Sequence, residues 1–278
     1  MRLTAALSVV LALSASQVFA QTLDRIAESG EIRLGVRADA APMSFVGADG
    51  APAGYSVGVC NSVVELLGQS LGQEITAVPI TVSAGDRFDA VAEGRVDMLC
   101  GAATITLERR ESVDFSIPIF VDGAAVMLRA GYDPEFSALD GKRIGVRADT
   151  STETVLRNSV EASGMSSEIV TFDSHEGAVA ALVGEEIDAY FGDQSILFAL
   201  YFAAEDPSAL VVSDNTLTVE KQGLALPRGD DDFRLEVDRA LSAIYASGRM
   251  REIFEANLPG ATPGAALQAL FLIAPELP

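Results

Sequence analysis

Basic residues are scarce in this chain. Nineteen lysines and arginines stand against 40 aspartates and glutamates, for a formal charge of −21. A chain of that sign repels phosphate backbones and anionic lipid surfaces, which argues against nucleic acid or an acidic membrane as partner. Histidine occurs once, as His175, and cysteine twice, as Cys60 and Cys100. One histidine and two separated cysteines make no metal-binding motif; no H-E-x-x-H pair and no phosphate-binding loop occurs. Neither a metal nor a cofactor is expected. Beyond the first 20 residues no apolar run is long enough to span a bilayer.

Those 20 residues read as a leader. Met1-Arg2 is a short basic start, Leu3 to Leu13 is apolar, and Val18-Phe19-Ala20 puts small residues where a signal peptidase reads. Cleavage after Ala20 is expected, with export of the mature chain to the periplasm. Losing Arg2 moves the formal charge from −21 to −22, so an anion site must be built from local arginines. In an oxidising compartment Cys60 and Cys100 form either one disulfide or a pair of buried thiols, one on a helix and one on a strand.

The chain repeats itself. Ile32-Arg33-Leu34-Gly35-Val36-Arg37-Ala38-Asp39 returns as Arg143-Ile144-Gly145-Val146-Arg147-Ala148-Asp149, and Gly94-Arg95-Val96-Asp97 is echoed by Gly184-Glu185-Glu186-Ile187-Asp188. Apolar spacing predicts strand–helix–strand–helix–strand in each half, with Asp86 as a helix cap in the first. Two matches in the same order imply two similar α/β lobes. The chain crosses between them near 119–129 and returns near 219–227, which makes a two-stranded hinge. The expected division is a leader over 1–20, lobe one over 21–120 plus 225–278, and lobe two over 125–220. The apolar, proline-interrupted end, 265–278, reads as a docked tail.

The stretch Gly94 to Ser116 carries the chemistry. An apolar strand breaks at Gly101 into small and hydroxylated residues, followed by Arg109-Arg110. Hydroxyls, backbone N–H groups and a guanidinium fork suit a carboxylate. Ligands in parallel α/β sheets lie beyond the carboxyl ends of the strands. The residues at those ends are Arg37, Ser83, Arg87, Thr104 and Arg109 in the first half. Thr150, Ser151, His175 and Asp193 stand there in the second. Such a set suits a small zwitterion with extra negative charge. Gly54-Tyr55-Ser56-Val57-Gly58 matches the G-x-S-x-G nucleophile motif, but Ala51-Pro52-Ala53 before it reads as a turn, where the motif needs a strand.

The run VDMLCGAATITLERRESVDFS resembles the signature of the polar amino-acid solute-binding proteins of ABC importers. AGYSVGVCNSVVELL, GKRIGVRADTSTE and IDAYFGDQ are similar to other landmarks of that family, so the resemblance covers essentially the whole mature chain. VRADAAPMSF, PIT and DSHEG are most like the glutamate/aspartate-binding members. The resemblance implies a two-lobed α/β periplasmic-binding-protein fold of type II, a non-enzymatic monomer, an amino-acid ligand and an inner-membrane ABC permease as partner. It implies that Arg109, Thr104 and Thr150 hold the α-carboxylate and Asp193 the α-ammonium. Arg37, Arg87, Ser83 and His175 would surround a side-chain carboxylate, with a protonated His175 making affinity fall as pH rises. Ala102 replaces a usual serine, and Arg147 is an extra charge. The alternatives are a prephenate or arogenate dehydratase on the same fold and a ligand-presenting partner of a chemoreceptor.

Overall fold

The computed structural model describes residues 22–274; the expected leader and the last four residues lie outside the described residues. The repeat becomes two sheets of one design. In the first, Glu31–Val36 lies between Thr76–Thr81 and Met98–Cys100, all parallel. In the second, Arg143–Arg147 lies between Glu168–Phe172 and Ala189–Asp193, again all parallel. Each triple has its first strand in the middle, the order that two helical crossovers produce. Antiparallel strands then extend both sheets. Ala225–Pro227 joins the first beside Met98–Cys100, and Ala124–Arg129 joins the second beside Ala189–Asp193. Each of these added strands follows directly on a crossing. The crossings themselves pair antiparallel, Phe120–Asp122 against Glu220–Gln222. The fold is therefore α/β and two-lobed, with a two-stranded hinge.

Helix Tyr55–Leu71 shows how the first lobe is packed. Tyr55, Val59, Cys60, Val63, Val64 and Leu67 recur at helical spacing, and all are buried. The helix stops at Gly72, which takes the left-handed conformation. It starts after Gly54, at φ 116°, where any Cβ would meet the Met43 carbonyl oxygen at 2.6 Å. Pro52–Ala53, expected as a turn, is a two-residue strand paired with Phe45 and Val46. A strand, a glycine and a helix thus surround Ser56, yet Ser56 is fully buried and its hydroxyl donates to the Gly101 carbonyl at 3.2 Å. No nucleophile is presented there.

Asp86 differs from expectation. It makes no side-chain cap on helix Arg87–Ala92, because its carboxylate is taken by Arg95. Helices Asp231–Ala246 and Arg249–Asn257 return to the first lobe, where Phe233, Leu241, Met250 and Phe254 share one core with Ile32, Tyr55 and Met98. The last described helix, Ala265–Ile273, docks through Leu267 and Leu270. Among the described residues, no helix is long and apolar enough to cross a membrane.

Cys60 and Cys100 are joined as a disulfide that ties helix Tyr55–Leu71 to strand Met98–Cys100 within one lobe. At a sequence separation of 40, closing that loop contributes about 4 kcal/mol in the chain-entropy description. Reduction is therefore expected to lower Tm by roughly 8–16 °C and to leave ligand affinity within about twofold, since the bond does not cross the hinge. An unchanged melting curve after both thiols have been titrated as free would contradict this.

Candidate functional site

Residues just past the strand ends of both sheets line one small cavity between the lobes. Arg37, Arg87, Thr104 and Arg109 reach it from the first lobe, and Thr150, Ser151, His175 and Asp193 from the second. Ser83 does not. It is exposed, and its hydroxyl accepts the Asp86 N–H at 3.1 Å; Val82 and Ala84 on either side of it are the residues this turn buries. Arg147, the extra charge of the second lobe, lines the cavity as well.

The four arginines differ in their partners. Arg37 is held by Asp39, whose Oδ1 lies 2.8 Å from Nε and 2.6 Å from Nη2. Asp39 Oδ2 faces Arg147 Nη2 at 3.2 Å, and Arg147 also donates to the Phe172 carbonyl at 3.1 Å. Burial alone would raise the Asp39 carboxyl; the Arg37 and Arg147 guanidiniums hold it below the usual carboxylate range. Arg87 and Arg109 have no carboxylate within ion-pair distance among the described residues. Arg87 is 3 % exposed, its Nε has no partner, and its one bond is Nη1 to the Asp149 carbonyl of the other lobe at 3.1 Å. Burial, with repulsion from Arg109 and Arg37, pushes its pKa down to about 9. Arg109 donates to the Thr104 carbonyl at 2.7 Å, and both guanidinium carbons lie 4.6 Å from the Phe88 ring centroid. Burial lowers the Arg109 pKa too, against the pull of Asp193 and Glu220.

Opposite charge collects at the hinge. Asp193 accepts the Thr152 hydroxyl at 3.1 Å and the Gln222 amide at 2.9 Å. Burial pushes its carboxyl up to about 7, and the nearby Asp122 and Glu220 carboxylates add to the rise. Glu220 takes the Thr104 hydroxyl at 2.6 Å and the Thr218 hydroxyl at 2.7 Å, with the Ser151 hydroxyl 3.1 Å away. Thr150 caps helix Ser151–Ser163: its hydroxyl accepts the Glu153 N–H at 3.2 Å and donates to the Arg147 carbonyl at 2.8 Å. That helix points its N-terminus, an anion-favouring end, at the cavity.

His175 is not the cation expected. It is buried, its Nδ1 lies 2.6 Å from the Tyr190 hydroxyl, and burial drops its pKa to about 4 despite Asp39 nearby. The imidazole is neutral at pH 7. Asp39, Glu220, Thr152 and Gln222 were not singled out by the sequence. For Asp39 a signal existed, because the repeat writes Arg-Ala-Asp at the same strand end in both halves.

The model of the bacterial extracellular solute-binding proteins, family 3, matches residues 32–259. The L-glutamate/L-aspartate-binding protein of Pseudomonas aeruginosa is 30 % identical over 277 residues, covering 97 % of this chain and 92 % of that one. The glutamate/aspartate import solute-binding protein of Escherichia coli K12 is 26 % identical, covering 100 % and 96 %. Both are binding proteins, not enzymes. A substrate-binding protein of an ABC uptake transporter from Streptococcus pneumoniae, with bound histidine, superimposes with a TM-score of 0.79 at 19 % identity, covering 88 % of this chain and 98 % of that one.

Proposed function

Because the chain belongs to the bacterial extracellular solute-binding proteins, family 3, we propose that it captures an acidic amino acid, glutamate or aspartate, in the periplasm and delivers it to an ABC permease. One observation carries this reading: among the described residues, Arg87 and Arg109 both face the cavity without a carboxylate in ion-pair contact, while Asp193 lines it half-buried without a cation in ion-pair contact. A zwitterion with a second carboxylate supplies what each of them lacks. Arg109, with the helix N-terminus at Ser151, takes the α-carboxylate; Thr104 and Thr150 position these donors from the two lobes. Asp193 takes the α-ammonium, and Arg87 takes the side-chain carboxylate above the neutral His175. Residues 21–120 with 225–278 act as one lobe and 125–220 as the other. The protein works as a monomer after losing its leader. Closure is selected in proportion to the contacts the second lobe adds to the bound ligand. Calorimetry against the twenty amino acids is the test: glutamate or aspartate should bind most tightly, and a neutral or basic amino acid at the top of the series would overturn the reading.

A pH dependence follows from Asp193. An ammonium group beside it favours the carboxylate, so binding lowers its pKa from about 7 and releases a proton. Affinity is therefore expected to rise between pH 5.5 and 7.5, by at most about tenfold per unit, and to level off above. His175, already neutral above pH 5, adds no step in that window. Titrations in two buffers of different ionisation enthalpy would report the released proton directly. An affinity that falls over the same range would instead mark a protonated His175 as a ligand donor.

A further inference from the structure

The internal repeat brings two arginines together at the cavity. Gly35-Val36-Arg37-Ala38-Asp39 and Gly145-Val146-Arg147-Ala148-Asp149 end equivalent central strands of the two sheets. Arg37 and Arg147 therefore converge from opposite lobes, and both are buried, at 4 % and 7 % exposure. Both line the cavity. The second lobe does not repeat the first in its acid, however. Asp149 takes a left-handed backbone, φ 60°, packs its side chain toward Gly85, and offers its carbonyl to Arg87. Asp39 alone turns its carboxylate, half-buried, onto the arginine pair, one oxygen on Arg37 and the other on Arg147.

We propose that Asp39 is a specificity-determining residue, an internal carboxylate that occupies Arg37 and Arg147 and so leaves the ligand side chain to be read by Arg87. Arg37, Arg87 and Arg147 lining one small cavity would otherwise favour any ligand with the most negative side chain. With Asp39 in place, two of them are neutralised as a pair and one remains. The pairing also closes the cleft: Asp39–Arg147 is the one ion pair joining the two lobes among the described residues. The backbone around Asp39 is fixed for this. Its strand pairs with Phe45 and Ala40 with Ser44, and the Ser44 hydroxyl accepts the Arg37 N–H at 2.9 Å. A ligand carboxylate that approached Arg37 or Arg147 would have to displace Asp39 or share its cations.

The proposal rests on the acidic-amino-acid reading, and one set of titrations separates the two. Affinities for Glu, Gln, Asp and Asn are measured by calorimetry for wild type, Asp39→Asn and Arg147→Gln. Asp39→Asn strips two buried guanidiniums of their anion, so the acid-to-amide ratio should rise by at least about tenfold over wild type. Arg147→Gln leaves Asp39 with one cation instead of two, so its residual charge repels a ligand carboxylate and the ratio should fall by a similar factor. If Asp39 were only a latch, both variants would weaken all four ligands by one common factor and leave both ratios at the wild-type value; that result overturns the proposal. Failure of the underlying reading shows in wild type alone, as amides binding as well as acids. In that case an unchanged ratio in both variants still overturns the Asp39 assignment, and shifts of opposite sign still support it. Melting curves of each variant identify misfolding, and because the two substitutions act in opposite directions, either folded variant suffices to decide.

Discussion

Arg109→Ala is expected to weaken the binding of every amino-acid ligand by about two to three and a half decades. All amino acids share the α-carboxylate, and Arg109 is the cavity-facing cation placed to receive it from the first lobe. Its own carbonyl contact to Thr104 and its position against Phe88 fix the guanidinium before any ligand arrives. Removing it leaves the carboxylate desolvated and poorly paired in a closed site, and breaking a buried pair from one side costs about 3–5 kcal/mol. At about 1.4 kcal/mol per decade, that is the loss stated. Arg109→Lys should recover part of it, since an ammonium keeps the charge but loses the planar fork. Glutamate and glutamine should suffer alike, because neither the ammonium nor the side chain meets Arg109. Calorimetry on wild type and the two variants reads this directly, and an Arg109→Ala protein within threefold of wild type would remove Arg109 from the site.

Much of this site could be read before the fold was seen, for a physical reason. In a doubly wound sheet the strand ends converge, so any polar residue just past a buried apolar run is a candidate. Eight of the nine residues named that way line the cavity. Ser83 failed because the turn at 82–86 is shaped from outside: Gly85 packs against Asp149 of the other lobe, a contact no local pattern encodes. The pairing of Arg37 was equally hidden, since its partner Asp39 is itself shared with Arg147, 108 residues away. The charge state of His175 depends on burial and on the charges of Asp39, Arg37 and Arg147, and none of these is visible in the motif around it. The secondary structure was most legible where local signals agree. Helix His175–Val183 begins where Ser174 caps it, its hydroxyl accepting the Gly177 N–H at 3.0 Å, and helix Tyr55–Leu71 ends where Gly72 turns left-handed.

Wild type is expected to prefer glutamate or aspartate over the corresponding amide by at least about a hundredfold, or about 2.8 kcal/mol. The pressure comes from Arg87. Its guanidinium is almost fully buried, lacks an anion, and is repelled by Arg109 and Arg37, which is why its pKa falls to about 9. A side-chain carboxylate relieves all three conditions at once. An amide relieves none of them and leaves a desolvated cation beside a neutral group, the arrangement that discriminates most strongly against a wrong ligand. Arg87→Ala should therefore collapse the acid-to-amide ratio to within about tenfold. It should do so by weakening the acids, while the amides hold or gain, because the buried charge that opposed them is gone. Arg109→Ala acts the other way, lowering both classes and preserving their ratio. The Phe88 ring that both guanidiniums approach gives the two substitutions a common structural risk, so a melting curve accompanies each titration. Equal affinities of wild type for glutamate and glutamine would sink the dicarboxylate assignment. A ratio unchanged in Arg87→Ala would place the side-chain carboxylate on Arg37 and Arg147 instead, with Asp39 displaced from between them.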